Sequence, residues 1–244
     1  MAGAGSRFAI AGYADPKPLI KVNGLEMVRV VIDNLRPSCT CRFIFICQQS
    51  HIDAYGLKTK LSSWASGCEI IGLNGVTEGA ACTVLAVRNL IDTDAPLMIA
   101  NSDQYIDSSI DAYLERLDNN GLDGLIMTMK ATDPKWSFVG LDQNNLVTKV
   151  VEKEVISDEA TVGVYNFKRG RDFVAAADAM IAQNLRVNNE FYIAPVYNHL
   201  INAGRRIGIY NVGSEANGMY GLGTPADLTL FLSLPVHLKA TIKA

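Results

Sequence analysis

The sequence has no excess of positive charge and no long hydrophobic run. It carries 22 Lys and Arg residues against 25 Asp and Glu, which gives a net charge of −3 at pH 7. This balance argues against a nucleic-acid binder that works through bulk electrostatics. No stretch reaches the ~18 apolar residues of a membrane span, and the start lacks the basic segment and apolar run of a signal peptide. We therefore expect a cytoplasmic protein with no membrane span and no nucleic-acid partner.

Cysteine and histidine are also scarce. The five cysteines are an odd number in a chain without an export signal, which indicates reduced thiols rather than disulfides. Cys39 and Cys41 could be half of a metal site, but no second Cys or His pair follows at zinc-finger spacing. The three histidines are scattered and have no obvious partner, so we assign them no chemistry.

What the sequence does contain is an alternation of predicted strands and helices. Hydrophobic residues make up 49% of the chain and charged residues 19%, as in a globular protein. The apolar runs at 42–47, 68–73 and 96–101 predict strands, of which those at 42–47 and 96–101 should be buried, and a helical pattern follows each of them. Residues around "DQNN" predict a hairpin. We expect an α/β fold with a doubly wound, mostly parallel sheet, a small antiparallel insertion and one domain over residues 1–244.

The chain opens on a glycine-rich segment that carries two cations, "MAGAGSRFAIAGYADPKPL". Gly3 and Gly5 let a ligand approach the backbone closely, and successive N–H groups in such a loop bind anions. Arg7 offers a planar fork for phosphate oxygens, whereas Lys17 offers a mobile point charge between two stiffening prolines. The segment therefore predicts a polyphosphate-binding loop. The alternative is a disordered N-terminus with two solvated charges.

Two polar residues next to apolar segments each allow two interpretations. Asp103 follows the strand "PLMIAN", at the sheet edge where α/β folds bind ligands. A carboxylate there suits Mg²⁺, which takes oxygen ligands from protein and phosphates, but Asp103 could also cap the next turn. Asn189 lies directly before the predicted helical run at 190–204, which Glu190 opens, and we interpret Asn189 as the N-terminal cap of that helix rather than as a site residue.

The opening segment resembles the signature of the sugar-phosphate nucleotidylyltransferases, also called nucleotide-sugar pyrophosphorylases. That signature is Gly-x-Gly-Ser/Thr-Arg-Phe/Leu followed by Pro-Lys-Pro-Leu. Later segments resemble the family in the expected order: "TEGAACTVL" (77–85), "ANSDQ", "VVEKE" (150–154), "ATVGVYNF" (160–167) and "YGLGTPADL" (220–228). The resemblance therefore spans nearly the whole chain.

This resemblance implies an enzyme of nucleotide-sugar and polysaccharide biosynthesis that uses Mg²⁺. Such an enzyme couples a nucleoside triphosphate to a sugar 1-phosphate, or a similar phosphorylated small molecule, and releases pyrophosphate. By similarity, Arg7 and Lys17 are the catalytic cations and Asp103 holds the metal. The other implied site residues are the nucleotide-binding Ala2, Gly3, Ala4, Gly5, Ser6, Glu78 and Gly79, and the sugar-phosphate-binding Glu152, Lys153 and Gly163.

The sequence departs from the family pattern in two places. Many members carry a second metal-binding aspartate as Asp-x-Gly-Thr, where this chain has Gly221. Either Asp103 is the only protein carboxylate on the metal, or Glu215 or another nearby group takes the missing place. The family also has an apolar strand before the glycine loop, so we expect that residues upstream of Met1 were lost or that the start was wrongly assigned.

Two other functions stay open at this point. A glycosyltransferase of the related GT-A type would share the nucleotide fold and the metal aspartate, although such enzymes usually have Asp-x-Asp where this chain has Ser102-Asp103-Gln104. A non-catalytic regulatory subunit could bind nucleotide-sugars on the same fold. The sequence names neither the base nor the sugar. A homodimer, the commonest soluble assembly, is one state that the protein could adopt.

Overall fold

Strands and helices alternate along the computed structural model, which describes residues 1, 3 and 5–242. The chain forms two compact units. The first comprises Met1–Val76, Asn101–Ile110 and Ala216–Ala244, and the second comprises Thr77–Ala100 and Asp111–Glu215. The expectation of a single domain stays a prediction. Ala2 and Ala4, which the sequence places in the phosphate-binding loop, lie outside the described residues.

The secondary-structure elements have the following bounds. The strands are β1 (Lys21–Val22), β2 (Leu25–Glu26), β3 (Ile44–Gln48), β4 (Glu69–Leu73), β5 (Leu97–Ala100), β6 (Gln104–Ile106), β7 (Gly124–Lys130), β8 (Ser137–Leu141), β9 (Val147–Glu152), β10 (Glu159–Phe167), β11 (Ile207–Glu215) and β12 (Gly218–Gly221). The helices are α1 (Ser6–Ile10), α2 (Met27–Asn34), α3 (Gln49–Tyr55), α4 (Leu57–Trp64), α5 (Ala80–Leu85), α6 (Arg88–Ile91), α7 (Ile110–Asn119), α8 (Gly170–Ala182), α9 (Tyr197–Asn202), α10 (Pro225–Ser233) and α11 (Val236–Thr241). Among the described residues, no helix combines the length and the apolar character that crossing a membrane requires.

Helix α2 is the central packing element of the first unit. Met27 and Val30 enter one buried hydrophobic cluster, and Val28 and Ile32 enter another. The helix buries more than one side because its sequence, "MVRVVIDN", is apolar around most of its circumference. Three strand pairs complete the unit: β1 with β2 and β6 with β12 are antiparallel, whereas β3 with β4 is parallel.

The same two clusters anchor the segment that carries Lys17. Leu19 packs in the cluster of Val28, and Ile20 packs in the cluster of Met27. Both side chains are more than nine-tenths buried. Because the residues that follow Lys17 are held in two hydrophobic cores, the backbone of this lysine is fixed in place.

The second unit is built on a sheet in the order β11–β7–β10–β8–β9, with β5 beside the C-terminal half of β10. Strand β10 is buried along its whole length. The β7–β10 ladder shifts register between Thr161 and Tyr165, and Gly163 lies inside this irregularity with φ 78°. A left-handed φ favours glycine, so Gly163 allows the bulge in the middle of a buried strand.

The predicted α/β class is confirmed, but the sheet is mixed. Among the described residues, only the pairs β3–β4 and β7–β11 are parallel. Strand β10 runs antiparallel to β5, β7 and β8, and the predicted hairpin joins β8 to β9. The strand predicted to be buried at 96–101 is β5, and that expectation is wrong. Its residues are only partly buried or exposed, since in the described chain β5 pairs with β10 alone.

The buried carboxylate of Glu26 makes the stability of the first unit depend on pH. Lys21 and Lys60 reach its Oε1 at 2.8 and 3.2 Å. Burial acts to raise the pKa of Glu26, but hydrogen bonds, with Lys21 as the largest contributor, outweigh it and lower the pKa to about 2. A carboxyl whose folded pKa is lowered contributes stability above its ordinary pKa of 4.5, and that contribution is lost as the pH falls towards 2.

We therefore expect Glu26→Gln to destabilise the protein by about 1–2 kcal/mol at pH 7, a value reduced for the exposure of both lysines. The difference from wild type should shrink below pH 4.5. Urea unfolding at a series of pH values measures it, with the exposed Glu154→Gln as the matched control. A difference that stays constant down to pH 3 would contradict the assignment, because the carboxylate charge would then carry none of the effect.

Candidate functional site

Lys17 and Asp103 form an ion pair in the first unit. The Nζ of Lys17 lies 2.7 Å from Oδ2 of Asp103, and each side chain is 25% exposed. The loop before β6 carries Asp103, and the carbonyl oxygen of Asp103 accepts a hydrogen bond from the N–H of Leu222 at 2.8 Å. Two residues that the sequence singles out separately are thus brought together, with one side of the pair open to a ligand.

The glycine loop adjoins this pair. Gly5 has φ 61° and precedes α1, and a Cβ built on Gly5 would lie 3.6 Å from Cβ of Lys17. The loop therefore passes directly over the lysine. Gly3, Ser6 and Arg7 are exposed, and the described residues include no hydrogen-bond or ion-pair partner for the guanidinium of Arg7.

Two glycines leave space beside carboxylates in the first unit. A Cβ on Gly223 would stand 2.9 Å from Oδ2 of Asp103, so glycine keeps that oxygen accessible. A Cβ on Gly221 would stand 3.4 Å from Cγ of Asp227. The carboxylate of Asp227 thus lies in contact with the point where the side chain of a family aspartate at 221 would begin. Glu215, the substitute named from the sequence, belongs to the second unit and pairs with Lys135 at 2.9 Å.

A metal ion would find few protein ligands here. Among the described residues, no group of three or more His, Cys, Asp or Glu side chains is placed to hold a metal. Asp103 offers one carboxylate, and part of it is engaged by Lys17. These residues fit a cation that takes most of its ligands from phosphates and water, which is the usual binding mode of Mg²⁺.

In the second unit, Gly79 lies against the backbone of Phe191. A Cβ on Gly79 would be 2.5 Å from the N and O atoms of Phe191, and Gly79 has φ 128°. The N–H of Phe191 donates to the carbonyl of Glu78 at 2.8 Å, and its carbonyl accepts from Ala81 at 3.0 Å. Only glycine allows two backbones this close, so position 79 is explained by packing as well as by any ligand.

Arg186 contacts both of the segments that meet here, at Glu78 and at Phe191. Its guanidinium lies 2.6 Å from Oε2 of Glu78 and 4.3 Å from the ring centroid of Phe191. Glu78, which resemblance places near the base, is therefore held in an ion pair. Its carboxylate remains more than half exposed.

Glu152 and Lys153 are adjacent in sequence but have different partners. Glu152 is buried at the end of β9 and accepts a short hydrogen bond from Oγ of Ser137. Burial raises the pKa of Glu152, an effect that this hydrogen bond and the charge of Lys153 partly offset. The Nζ of Lys153 donates instead to the phenol oxygen of Tyr192 at 2.8 Å. The pair is therefore more than an exposed salt bridge on a strand end.

Residues 186–192 are where the sequence analysis missed the most. No helix begins at Asn189: the helical run is confined to α9, after a short 3₁₀ turn at Ala194–Val196. Asn188 and Asn189 instead adopt left-handed backbone angles, with φ 48° and 63°. The predicted helix cap is wrong because Pro195 and this turn delay the helix. The two consecutive asparagines, which tolerate such angles, were the available signal.

The chain matches the family model described as nucleotidyl transferase over residues 1–191. It is 25% identical over 175 residues to the mannose-1-phosphate guanylyltransferase catalytic subunit beta of Drosophila melanogaster. This match covers 68% of the chain and 46% of the fly protein, so the chain spans about half the length of that curated relative.

Solved structures share the fold over nearly all of the chain. A nucleoside-diphosphate-sugar pyrophosphorylase from Vibrio cholerae RC9 superposes with a TM-score of 0.81 at 25% identity, covering 96% of this chain and 98% of its own. The inositol-1-phosphate CTP transferase from T. maritima superposes with a TM-score of 0.73 at 16% identity, covering 99% and 94%. At that lower identity the likeness concerns the fold alone.

Because Gly79 lies so close to the backbone of Phe191, adding one methyl group at position 79 should lower the stability of the protein strongly. Gly79→Ala should destabilise the protein by about 2–4 kcal/mol, because a Cβ would overlap backbone atoms that cannot move aside. Gly75→Ala is the matched control, since Gly75 also has a positive φ but has open space around it. It should cost about 1 kcal/mol. Urea unfolding compares the two variants, and equal losses would show that the close approach is not a constraint.

Proposed function

The chain belongs to the nucleotidyl transferase family, and from this we propose that it joins a nucleoside triphosphate to a sugar 1-phosphate or a similar phosphorylated small molecule. A phosphate oxygen of the acceptor attacks the α-phosphorus in line. A new P–O bond forms as the bond between the α-phosphorus and the bridging oxygen breaks, and pyrophosphate leaves. No covalent enzyme intermediate is needed, so the protein contributes positioning and charge neutralisation.

The observation that carries this proposal is the ion pair of Lys17 and Asp103 beneath the glycine loop. Two anionic substrates repel each other, and a site that joins them must supply cations in fixed positions. Lys17 is fixed by its buried neighbours and held at 2.7 Å by Asp103. We assign Lys17 to the α-phosphate, and Arg7 with the backbone from Gly3 to Ser6 to the triphosphate and the departing pyrophosphate.

Asp103 is the proposed protein ligand of Mg²⁺. The fit rests on its accessible Oδ2 beside Gly223 and on the carboxylate of Asp227 beside Gly221. When bound, the ion would neutralise charge on the phosphates and draw electrons from the α-phosphorus. Lys17 holds the same oxygen of Asp103 in this structure, so its ammonium would have to leave that oxygen for a cation to bind there. The ammonium of Lys17 would then be free to donate to the α-phosphate.

The residues that the family resemblance singles out in the second unit carry the other proposed roles. We assign Glu78 and Gly79 to the base, Lys153 to the phosphate of the acceptor, and Glu152 and Gly163 to its sugar. A buried carboxylate that is already positioned by Ser137 suits the recognition of sugar hydroxyls, since an unpaired polar group is costly when the hydroxyl is missing. We further propose that the protein acts in the cytoplasm. A homodimer stays a prediction.

The first test is activity. We expect Lys17→Ala and Asp103→Ala each to lower turnover at least ~100-fold, because each removes a group that acts on transition-state charge. Pyrophosphate release is followed with the four nucleoside triphosphates against a panel of phosphorylated acceptors. Lys58→Ala and Asp107→Asn serve as controls, since neither belongs to the proposed site. Normal turnover of both site variants would show that the assignment is wrong. Wild-type binding of nucleotide-sugars without turnover would favour the regulatory-subunit alternative.

The second test concerns the shared oxygen of Asp103. Lys17→Met removes a positive charge that competes for this carboxylate, so Mn²⁺ should bind about threefold to tenfold more tightly in the absence of nucleotide. Paramagnetic resonance of free Mn²⁺ measures the affinity, and Lys58→Met should leave it unchanged. Unchanged or weaker binding to the Lys17 variant would mean that lysine and metal do not compete for Asp103.

A further inference from the structure

Lys153 has a backbone conformation that its residue type disfavours. Its φ is 58°, in the left-handed region that non-glycine residues adopt at a cost of about 1 kcal/mol or more. Lys153 lies just after β9, where its N–H donates to the carbonyl of Trp136 at 3.0 Å. Contacts around Lys153 must therefore outweigh the cost of this backbone angle.

The side chain of Lys153 ends on Tyr192. Its Nζ lies 2.8 Å from the phenol oxygen and 5.0 Å from the ring centroid, so the ring and the hydroxyl both hold the ammonium. The hydrogen bond to Tyr192 is the largest cause that raises the pKa of Lys153, and a lysine amine is protonated at neutral pH even without this shift. An ammonium has three N–H donors, and the phenol occupies one of them.

Tyr192 can act as a fixed support because the residue before it cannot move. Phe191 is 1% exposed, and its N–H and carbonyl are both hydrogen-bonded to the segment 78–81. Gly79 lies against the same backbone, and Arg186 covers the ring of Phe191. The phenol of Tyr192 is thus placed by a rigid backbone, whereas the lysine has four rotatable bonds.

Two carboxylates would otherwise attract this lysine. The charges of Glu152 and Glu190 both act on its ammonium. Without the phenol, the flexible side chain would move between solvent and these carboxylates, and its donors would no longer be held in one place for an anion. Held by Tyr192, it keeps two N–H donors for an external anion.

We propose that Tyr192 is the positioning residue for Lys153: it holds the ammonium away from Glu152 and Glu190 and presents it to the phosphate of the acceptor. The role rests on the proposed function, since the acceptor phosphate is the anion assigned to Lys153. The hold of Tyr192 on Lys153 exists without any substrate, so it is measurable separately.

Tyr192→Phe tests the proposal because it removes the hydroxyl and keeps the ring. The first readout is the rate at which trinitrobenzenesulfonate labels Lys153, followed by peptide mass spectrometry. Loss of one hydrogen bond should raise this rate about threefold to tenfold. Tyr55→Phe, which deletes an exposed hydroxyl with no hydrogen-bond partner among the described residues, is the matched control and should not change it. Thermal unfolding verifies that both variants are folded.

The second readout is kinetic. In Tyr192→Phe, the KM for the acceptor should rise about threefold to tenfold, while the KM for the nucleoside triphosphate stays within twofold of wild type. In a Lys153→Met background the same substitution should have no further effect on the acceptor KM, because the residue acts through the lysine. An effect that persists in that background would overturn the proposal.

The outcomes separate the two claims. Unchanged labelling of Lys153 in Tyr192→Phe would overturn the positioning role, whatever the activity. A wild-type protein that is inactive with every nucleotide and acceptor would refute the proposed function and the acceptor role with it. Faster labelling in that case would still show that Tyr192 restrains the lysine. Faster labelling together with a selective rise of the acceptor KM supports both.

Discussion

The contact between Lys17 and Asp103 is the interaction on which the candidate site of the first unit depends. The residues are 86 positions apart, and they meet at 2.7 Å because Leu19 and Ile20 are inserted in two hydrophobic clusters. A reaction between two anions needs cations that are already ordered before the substrates bind. The conformational entropy of these side chains is then lost during folding and not during the reaction. This loss is the ordering cost. The buried neighbours of Lys17 meet part of that cost by fixing its backbone, and Asp103 offers an oxygen that a divalent ion prefers.

In the second unit, the cation Lys153 is held in place by contacts with a rigid segment of backbone. Two neighbouring residues make these contacts. Phe191 is hydrogen-bonded to the loop of Glu78 and Gly79, and Tyr192 accepts a hydrogen bond from Lys153. Lys153, which contacts Tyr192, has a left-handed backbone angle, and so do Asn188 and Asn189, which precede Phe191. Asparagine tolerates such an angle, whereas at Lys153 it persists only because surrounding contacts outweigh its cost.

Local sequence signals predict some elements of this fold correctly and others wrongly. Helix α10 begins at Pro225 with Thr224 as its cap, as local chemistry predicts, and Thr224 accepts a hydrogen bond from the N–H of Asp227. The apolar run at 96–101 correctly predicted strand β5. It did not predict how far β5 is buried, because burial depends on which strands lie beside it. The segment that begins at residue 190 was predicted to be helical, but it is irregular up to the 3₁₀ turn before α9. An apolar run with one proline is compatible with an interrupted helix and with irregular structure.

The sequence by itself determined the α/β class, the order of the elements and the opening motif, because these follow from periodicity, capping and short-range spacing. Only the tertiary structure decided that Lys17 faces Asp103, that Gly79 is needed for the backbone of Phe191, and that Lys153 turns to Tyr192 rather than to Glu152. Each of these contacts joins residues far apart in the chain. Their distances are set by how hydrophobic clusters and strand pairs bring remote segments together, which no local pattern encodes.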